Sequence, residues 1–381
     1  MDKKILQFDF QSSTPCAMEV LDEMQPFWNE RWANASSKQT VSSNSMAAII
    51  SLSKDKIANY LNLNNHRIIF TSGATEANNL GLLGYSRNQA LHNNLYGNII
   101  TLSTEHAAVL DPLRHLQSEG FSLTELIPKN DGIIDLNEFA SVIKQKTFLV
   151  SIMSANNEIG VIQPLEKISS ICKERNILLH SDASQSLGFQ SFDFYQKGAQ
   201  MITISSHKIY GPKGIGALII EDDIPLQPLF FGGGQEFGLR PGTPAIPLIV
   251  GFTKAIELAV KRENDFIQSI GLLRDKLKNN LLIKIPELII NGSIENRLPN
   301  NLNITIPNIS GTQLHRYLRP LIACSSGSAC SDGKPSHVLL SLGRSKEEAK
   351  SSLRLSLGKD TTEEEVDMAI KIISTAVESL R

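Results

Sequence analysis

The chain has 381 residues, a length typical of two or three domains. Its composition is 41% hydrophobic and 20% charged with 25 glycines, which excludes a disordered, collagenous or coiled-coil protein. The 37 Lys and Arg residues nearly balance the 39 Asp and Glu residues, and the formal net charge is −2. Such a balance gives no electrostatic footprint for nucleic acid or for an anionic membrane, so we expect neither as a direct partner.

The cysteines and the first residues indicate the cellular compartment. The four cysteines are Cys16, Cys172, Cys324 and Cys330, with no Cys-x-x-Cys pair, so a disulfide framework is not expected. The opening residues lack the apolar core of a signal peptide. No apolar run approaches the roughly 20 residues that a membrane helix needs. The sequence therefore predicts a cytoplasmic protein, and its size suggests an enzyme.

Strand-like and helix-like segments alternate through the first two thirds of the chain. Short runs rich in Ile and Val predict buried strands at 68–70, 98–102, 148–153, 177–180, 201–204 and 215–220. Helical patterns between them include 46–61 and 165–172. This alternation predicts a mostly parallel sheet that is covered by helices on both faces. In such sheets ligands bind beyond the carboxyl ends of the strands.

The last third of the chain has a different pattern of apolar residues. After a long apolar helix, residues 298–306 and 352–356 predict strands of a second, smaller sheet. Thr362 and Glu365 form a capping-box pattern at the start of a final helix, whose apolar residues recur at helical spacing. These changes predict two domains with a boundary near residue 255.

Lys208 is the first candidate for chemistry, because it follows the strand at 201–204 and precedes a Gly/Pro turn. A lysine at a strand end projects into a cleft. There it can form a Schiff base with pyridoxal phosphate if burial and neighbouring cations lower its pKa. The alternative for a single lysine is an ordinary surface position.

Other strand ends carry the groups that this cofactor requires. Asp182 can pair with the pyridine nitrogen, and Gln185 can hydrogen-bond the ring hydroxyl. Residues 71–76 open a helix, where backbone N–H groups and the Thr75 hydroxyl form either an anion site or a plain helix cap. His106 begins another helix and either stacks on the ring and moves protons or serves as a structural cap.

The second domain adds a thiol and a cation. Cys330 lies among small and turn-forming residues, which predicts either a mobile reactive thiol or an idle one. Arg354 lies within an apolar strand-like run and needs an anionic partner, either a substrate carboxylate or a structural Asp or Glu. Cys172 and Cys324 are interpreted as packing residues, and Cys16 has no assigned role.

Seven motifs in collinear order resemble the cysteine desulfurases of the IscS and NifS class, which belong to the class V aminotransferases. The motifs are Ser-Gly-Ala-Thr-Glu at 72–76, Thr-Glu-His at 104–106, Asn-Asn-Glu-Ile-Gly at 156–160, Asp-Ala-Ser-Gln at 182–185, Ser-Ser-His-Lys-Ile-Tyr-Gly-Pro-Lys-Gly at 205–214, Arg-Pro-Gly-Thr at 240–243 and Ser-Ser-Gly-Ser-Ala-Cys at 325–330. The lysine motif is specific for the superfamily. The cysteine motif is specific for the desulfurases and differs from the shorter SufS-like loop.

The resemblance implies an α/β fold, the fold type I architecture of pyridoxal-phosphate-dependent transferases. Residues 16–255 would form the large cofactor-binding domain around a mostly parallel seven-stranded sheet. Residues 1–15 and 256–381 would form a smaller α+β domain that carries the cysteine loop. The resemblance also implies a homodimer.

The resemblance assigns roles residue by residue. It implies three catalytic residues, which are Lys208, His106 and Cys330. It implies that pyridoxal phosphate is held by Ala74, Thr75, Asn157, Asp182, Gln185, Ser205, His207 and Lys208, and by Thr243 of the other subunit. The carboxylate of L-cysteine would bind Arg354, with Asn157 beside the substrate.

The implied reaction converts L-cysteine to L-alanine and leaves the sulfur on Cys330 as a persulfide. An acceptor or scaffold protein would then receive it for iron–sulfur cluster assembly or thio-modification. In some members the same cysteine helps to hold a cluster shared with the scaffold, so Cys330 is also a candidate iron ligand. The alternative enzymes are a selenocysteine lyase or another class V aminotransferase. A sulfur-trafficking protein with a degenerate site is the non-enzymatic alternative, and the intact set of site residues argues against it.

Four features of the sequence depart from the family pattern. The usual Pro and His are missing after Asn34, and residues 11–13 read Gln-Ser-Ser. Phe237 replaces a basic residue that is usual there, and the chain ends at Arg381 without the extension that some members use to dock the scaffold. We therefore expect altered contacts on the substrate side, and the identity of the acceptor stays open.

Overall fold

A computed structural model describes residues 5–37, 39–190, 198–326 and 334–381. The strands are β1 (Leu6–Gln7), β2 (His66–Thr71), β3 (Asn98–Leu102), β4 (Ser122–Leu126), β5 (Thr147–Ser151), β6 (Leu178–Asp182), β7 (Met201–Ser205), β8 (Gly216–Glu221), β9 (Ile289–Ile290), β10 (Asn301–Thr305), β11 (Ile322–Ala323) and β12 (Ser352–Ser356). The helices are α1 (Met18–Met24), α2 (Pro26–Asn29), α3 (Val41–Tyr60), α4 (Ala74–Asn93), α5 (Ala107–Ser118), α6 (Leu136–Val142), α7 (Leu165–Lys173), α8 (Ile246–Lys284), α9 (Gly311–Leu318), α10 (His337–Ser341), α11 (Lys346–Lys350) and α12 (Glu363–Leu380). Two short 3₁₀ turns span Ser206–Lys208 and Glu236–Gly238.

The large sheet has seven strands in the order β2-β8-β7-β6-β5-β3-β4. Strand β8 is antiparallel to both of its neighbours, and the remaining pairs are parallel. Every residue of β3, β5, β6 and β7 is buried, as expected for strands covered on both faces. The predicted mostly parallel seven-stranded sheet is confirmed.

The predicted strands of this sheet all form, but strand β4 was not predicted. Strand β4 lies at the edge of the sheet, and its first residue is exposed while the next three are half-buried. An edge strand needs no continuous apolar run, so its sequence lacks the signal of a buried strand. Helix α3 begins at Val41, earlier than predicted, because the Thr40 hydroxyl accepts the Ser43 N–H and caps the helix.

The second part of the chain forms the antiparallel sheet β12-β10-β9 and the parallel pair β1-β11. Leu6 and Phe8 pack in one hydrophobic core with Ile304, Leu353 and Ile373, so the beginning and the end of the chain share a core. The capping box of Thr362 and Glu365 is present at the start of α12, as predicted.

Helix α8 connects the two cores. Phe252 and Ile256 in its first half pack in the core of the large sheet, and Leu277 and Leu281 in its second half pack with the smaller sheet. The exact domain boundary stays a prediction. None of the helices in the described part of the chain combines the length and the apolar character needed to cross a bilayer.

Candidate active site

The carboxyl ends of β5, β6 and β7 and the first turns of α4 and α5 surround a cavity of about 590 Å³. Ten of the twelve predicted site residues line it: Ala74, Thr75, His106, Asn157, Asp182, Gln185, Ser205, His207, Lys208 and Arg354. Thr243 is exposed and does not line this cavity. Cys330 lies outside the described residues. The sheet topology thus gathers residues that are far apart in the sequence.

Lys208 lies in the 3₁₀ turn that follows β7. Its Nζ donates hydrogen bonds to the carbonyl oxygens of Gln11 at 2.6 Å and Ser12 at 2.9 Å. The turn needs a glycine at Gly211, because a Cβ there would collide with the Ser206 side chain. The N-terminal segment therefore helps to hold the lysine ammonium at the edge of the cavity.

Asp182 is the last residue of β6 and is only 7% exposed. Its Oδ2 accepts a hydrogen bond from Asn78 Nδ2 at 2.7 Å, and its Oδ1 accepts the Ser184 N–H at 2.9 Å. These two donors fix the carboxylate in one orientation. Asn78 was not predicted, although a fully buried asparagine in the apolar face of α4 was the available signal.

His106 caps α5 and also lines the cavity, so the cap is observed, and the role in ring stacking and proton transfer stays a prediction. Its Nδ1 accepts the Ala108 N–H at 3.1 Å. Burial lowers the pKa of His106, with the Lys208 charge acting in the same direction and the Asp182 charge opposing it. A neutral His106 whose Nδ1 is an acceptor carries its hydrogen on Nε2 and can donate there.

Glu105 is a second residue that sequence reasoning missed. It is fully buried, and its Oε1 accepts the Met153 N–H at 2.6 Å. Burial raises the pKa of Glu105 well above its usual range, and the negative charge of Asp182 adds to this rise. Burial therefore favours the protonated form of Glu105, which precedes His106 in the chain.

The first turn of α4 forms the anion-binding end of the cavity. Ala74 and Thr75 begin this 20-residue helix, so their N–H groups lie at the positive end of the helix dipole. Ser205 Oγ is buried beside them without a hydrogen-bond partner among the described residues. Burial, reinforced by the Lys208 and Lys213 charges, lowers the pKa of His207 to about 4, so this ring is neutral at neutral pH.

Arg354 lies in β12 and is 2% exposed. Its Nη2 donates to Asp9 Oδ1 at 2.7 Å and to Ser12 Oγ, and its Nη1 donates to the Asn157 carbonyl at 2.9 Å. The structural acid left open by the sequence is therefore Asp9. Arg354 also lines the cavity, so the structural partner does not remove it from the site.

Comparison with known proteins establishes the family. The sequence pattern described as Aminotransferase class-V matches residues 6–368. The chain belongs to the aminotransferase class V family.

Individual relatives indicate the subgroup of this family to which the chain belongs. A protein named cysteine desulfurase IscS from Rickettsia prowazekii (strain Madrid E) is 40% identical over 380 residues, which cover 99% of this chain and 92% of the relative. The solved structure of a NifS-like protein matches with a TM-score of 0.91 at 34% identity and covers 99% of this chain and 100% of its own. A structure described as SspA in complex with cysteine matches with a TM-score of 0.79 at 35% identity, covering 92% of this chain and 98% of its own. Within the aminotransferase class V family, the chain is therefore a cysteine desulfurase of the IscS and NifS class.

Class V aminotransferases depend in general on pyridoxal phosphate, and the cavity fits that group. Asn157 Oδ1 and Ser205 Oγ are buried without hydrogen-bond partners among the described residues, so each is available to a ligand. The cavity also offers a fixed carboxylate at Asp182, an amine at Lys208 and a helix N-terminus at Ala74. These are the groups that bind a pyridine ring, an aldehyde and a phosphate.

The described residues contain no group of three or more His, Cys, Asp or Glu side chains able to hold a metal ion. The prediction that Cys330 shares an iron–sulfur cluster with a partner falls outside those residues and stays a prediction.

Proposed function

We propose that this cysteine desulfurase converts L-cysteine to L-alanine and transfers the sulfur to Cys330 as a persulfide. The observation that carries the proposal is the convergence of Lys208, Asp182, His106 and Arg354 on one cavity. An amine, a carboxylate, a proton donor and a guanidinium are the groups that this reaction on an amino acid requires. The relatives named cysteine desulfurase support the same reaction.

Pyridoxal phosphate would be held at both of its polar ends. Ala74, Thr75, Ser205 and His207 would bind the phosphate, and Asp182 would pair with the ring nitrogen. Gln185 and Asn157 would contact the ring hydroxyl, and Lys208 would carry the cofactor covalently. When bound, the cofactor supplies an electron sink for the carbon atoms of the substrate.

We assign the proton transfers to two residues. His106 Nδ1 accepts the Ala108 N–H, so the neutral ring presents an N–H donor at Nε2 rather than a base. The free amine of Lys208 would then be the base that removes the Cα proton. His106 would hydrogen-bond or protonate the substrate and stack over the ring.

The sulfur step is a displacement. The Cys330 thiolate forms a bond to the substrate sulfur while the Cβ–S bond of the substrate breaks, and its electron pair stays with the three-carbon fragment. That fragment takes up protons and leaves as alanine. Cys330 then carries the extra sulfur and passes it to an acceptor or iron–sulfur scaffold protein.

The assembly would be a homodimer in the cytoplasm. Thr243 is exposed and lies on the segment that follows the 3₁₀ turn Glu236–Gly238, consistent with a contact to the phosphate site of a second copy. The 37 Lys and Arg residues do not outnumber the 39 Asp and Glu residues. This charge balance favours a protein acceptor over direct nucleic-acid binding.

Mapping of the transferred sulfur tests the proposal. Cofactor-loaded protein is incubated with sulfur-labelled L-cysteine, the free thiols are blocked, and the peptides are analysed by mass spectrometry. We expect one labelled sulfur on the peptide that contains Cys330, together with free alanine. Cys330→Ser and Lys208→Ala should abolish the label, whereas the control Cys16→Ser should retain it. Full turnover in Cys330→Ser, or a label on another cysteine, contradicts the proposal.

A further inference from the structure

Ser12 belongs to the segment at 11–13 whose sequence departs from the family pattern, and it lines the cavity. Its carbonyl oxygen accepts the Lys208 Nζ hydrogen bond at 2.9 Å, and its hydroxyl oxygen accepts a hydrogen bond from Arg354 Nη2. One residue thus contacts both cations that the reaction needs. Any residue at this position would supply the carbonyl oxygen, whereas the contact to Arg354 needs the side-chain hydroxyl of the serine.

The hydroxyl retains a hydrogen that it can donate. A serine hydroxyl accepts and donates at the same time, and here Arg354 uses only its acceptor capacity. No atom of the described residues accepts the Ser12 hydroxyl hydrogen. Because Ser12 lines the cavity, that hydrogen is available to a ligand there.

Arg354 alone presents little free hydrogen-bonding capacity to a carboxylate. Asp9 Oδ1 and Ser12 Oγ accept both hydrogens of Nη2, and the Asn157 carbonyl accepts one hydrogen of Nη1. Nε is buried without a partner among the described residues. A carboxylate that binds the guanidinium in the usual two-pronged way needs two free neighbouring N–H groups, and the Nε and Nη2 edge offers only one.

We propose that the Ser12 hydroxyl is a second donor to the α-carboxylate of the amino-acid substrate, beside the Nε–H of Arg354. The proposal rests on the proposed function in that it places the substrate carboxylate at Arg354. Ser12 would then be a specificity-determining residue, which favours ligands with a carboxylate on the carbon that bears the amine.

A pair of ligands that differ only in the carboxylate tests this role. L-alanine and ethylamine are titrated into cofactor-loaded protein, and binding is followed by the visible spectrum of the cofactor, without turnover. Loss of one hydrogen bond to a charged group predicts about 10- to 100-fold weaker binding of L-alanine to Ser12→Ala. Ethylamine binding should not change. Ser12→Thr keeps the hydroxyl and should restore L-alanine binding.

The controls distinguish the proposed role of Ser12 from a general loss of ligand binding and from a failure of the desulfurase reaction. Ser86→Ala removes a buried serine hydroxyl outside the cavity and should bind both ligands as the wild type does. Equal weakening of both ligands in Ser12→Ala overturns the role of Ser12, and so does an affinity for L-alanine that is unchanged or increased because the freed Nη2–H of Arg354 replaces the hydroxyl. Neither titration requires Cys330, so a failure of sulfur transfer would leave this result interpretable. In the reaction itself, Ser12→Ala should raise KM for L-cysteine far more than it lowers kcat.

Discussion

The ionisable side chains around the cavity owe their protonation states mainly to burial. Burial is the largest cause of the lowered pKa values of His106 and His207 and of the raised pKa of Glu105. His106 and His207 are therefore neutral at neutral pH, and burial favours the protonated form of Glu105. A neutral His106 is a hydrogen-bond donor at a defined nitrogen.

Glu105 provides a prediction at this scale. Because the folded-state pKa of Glu105 lies above the ordinary value of 4.5, its contribution to the stability of the wild-type protein is greatest below that value. It falls as pH rises towards the folded-state pKa, since the unfolded chain releases a proton that the native state must keep. Glu105→Gln mimics the protonated acid and retains an acceptor for the Met153 N–H. Urea unfolding should show the variant gaining stability relative to the wild type as pH rises.

The exposed residue Glu378 is the matched control, and Glu378→Gln should follow the wild-type pH profile. Parallel profiles for Glu105→Gln and the wild type would show that folding does not raise the pKa of Glu105, and would contradict the prediction.

At the scale of elements, the site is assembled where strands end and helices begin. Strands β6 and β7 end at Asp182 and beside Lys208, and α4 and α5 begin at Ala74 and His106. The positions are rigid because the strands pair in a buried sheet and the helices pack on it. Arg354 belongs to another sheet, whose position relies on the packing of α12 in the second core.

The contribution of the α12 capping box to stability can be tested by substitution. The Thr362 hydroxyl accepts the Glu365 N–H, and the Glu365 side chain accepts the Thr362 N–H. Thr362→Ala removes the first bond and should lower the free energy of unfolding by about 1 kcal/mol. Thr375→Ala, at an exposed position inside the same helix, should be neutral or slightly stabilising because alanine is the better helix former. Urea titration measures the free energy of unfolding of both variants and of the wild type. An unchanged value in Thr362→Ala would show that the cap contributes nothing.

The whole molecule has an exposed apolar face that a second copy would cover. Trp32 is 77% exposed and Phe231 is 90% exposed. Their segments are neighbours in space, since Gln235 Nε2 donates to Ser36 Oγ at 3.1 Å. Exposed aromatic side chains of this kind mark protein interfaces. The exposed Thr243 follows the second segment, which supports the same face as the dimer contact.

A double substitution tests the dimer. The wild-type protein should sediment as a dimer in analytical ultracentrifugation. A variant with Trp32→Asp and Phe231→Asp should sediment as a monomer, because two buried carboxylates without partners oppose association. It should also bind pyridoxal phosphate more weakly, since Thr243 of the other copy is then missing. Leu272→Asp, an exposed apolar position on α8, serves as the control and should remain a dimer with normal cofactor affinity. A monomeric wild type contradicts the prediction.

Much of the site was predictable because it lies at strand ends. Asp182 and Lys208 each follow a run of buried apolar residues, and that local pattern identifies the end of a strand. Strand β4 and the partner Asn78 were not predicted. The edge strand lacks an apolar run, and the contact between Asn78 and Asp182 joins residues 104 positions apart. No local pattern encodes such a contact.

The sequence by itself determined the fold class and the order of the candidate site residues along the chain, because periodicity and short motifs are local properties. Only the tertiary structure decided that Arg354 meets Asp9, 345 residues away, and that Ser12 lies between Arg354 and Lys208. It also decided the directions of the pKa shifts of Glu105 and His106, because shifts of this kind depend on burial. Burial is set by the packing of distant segments around a residue, and the residue's sequence neighbours do not specify it.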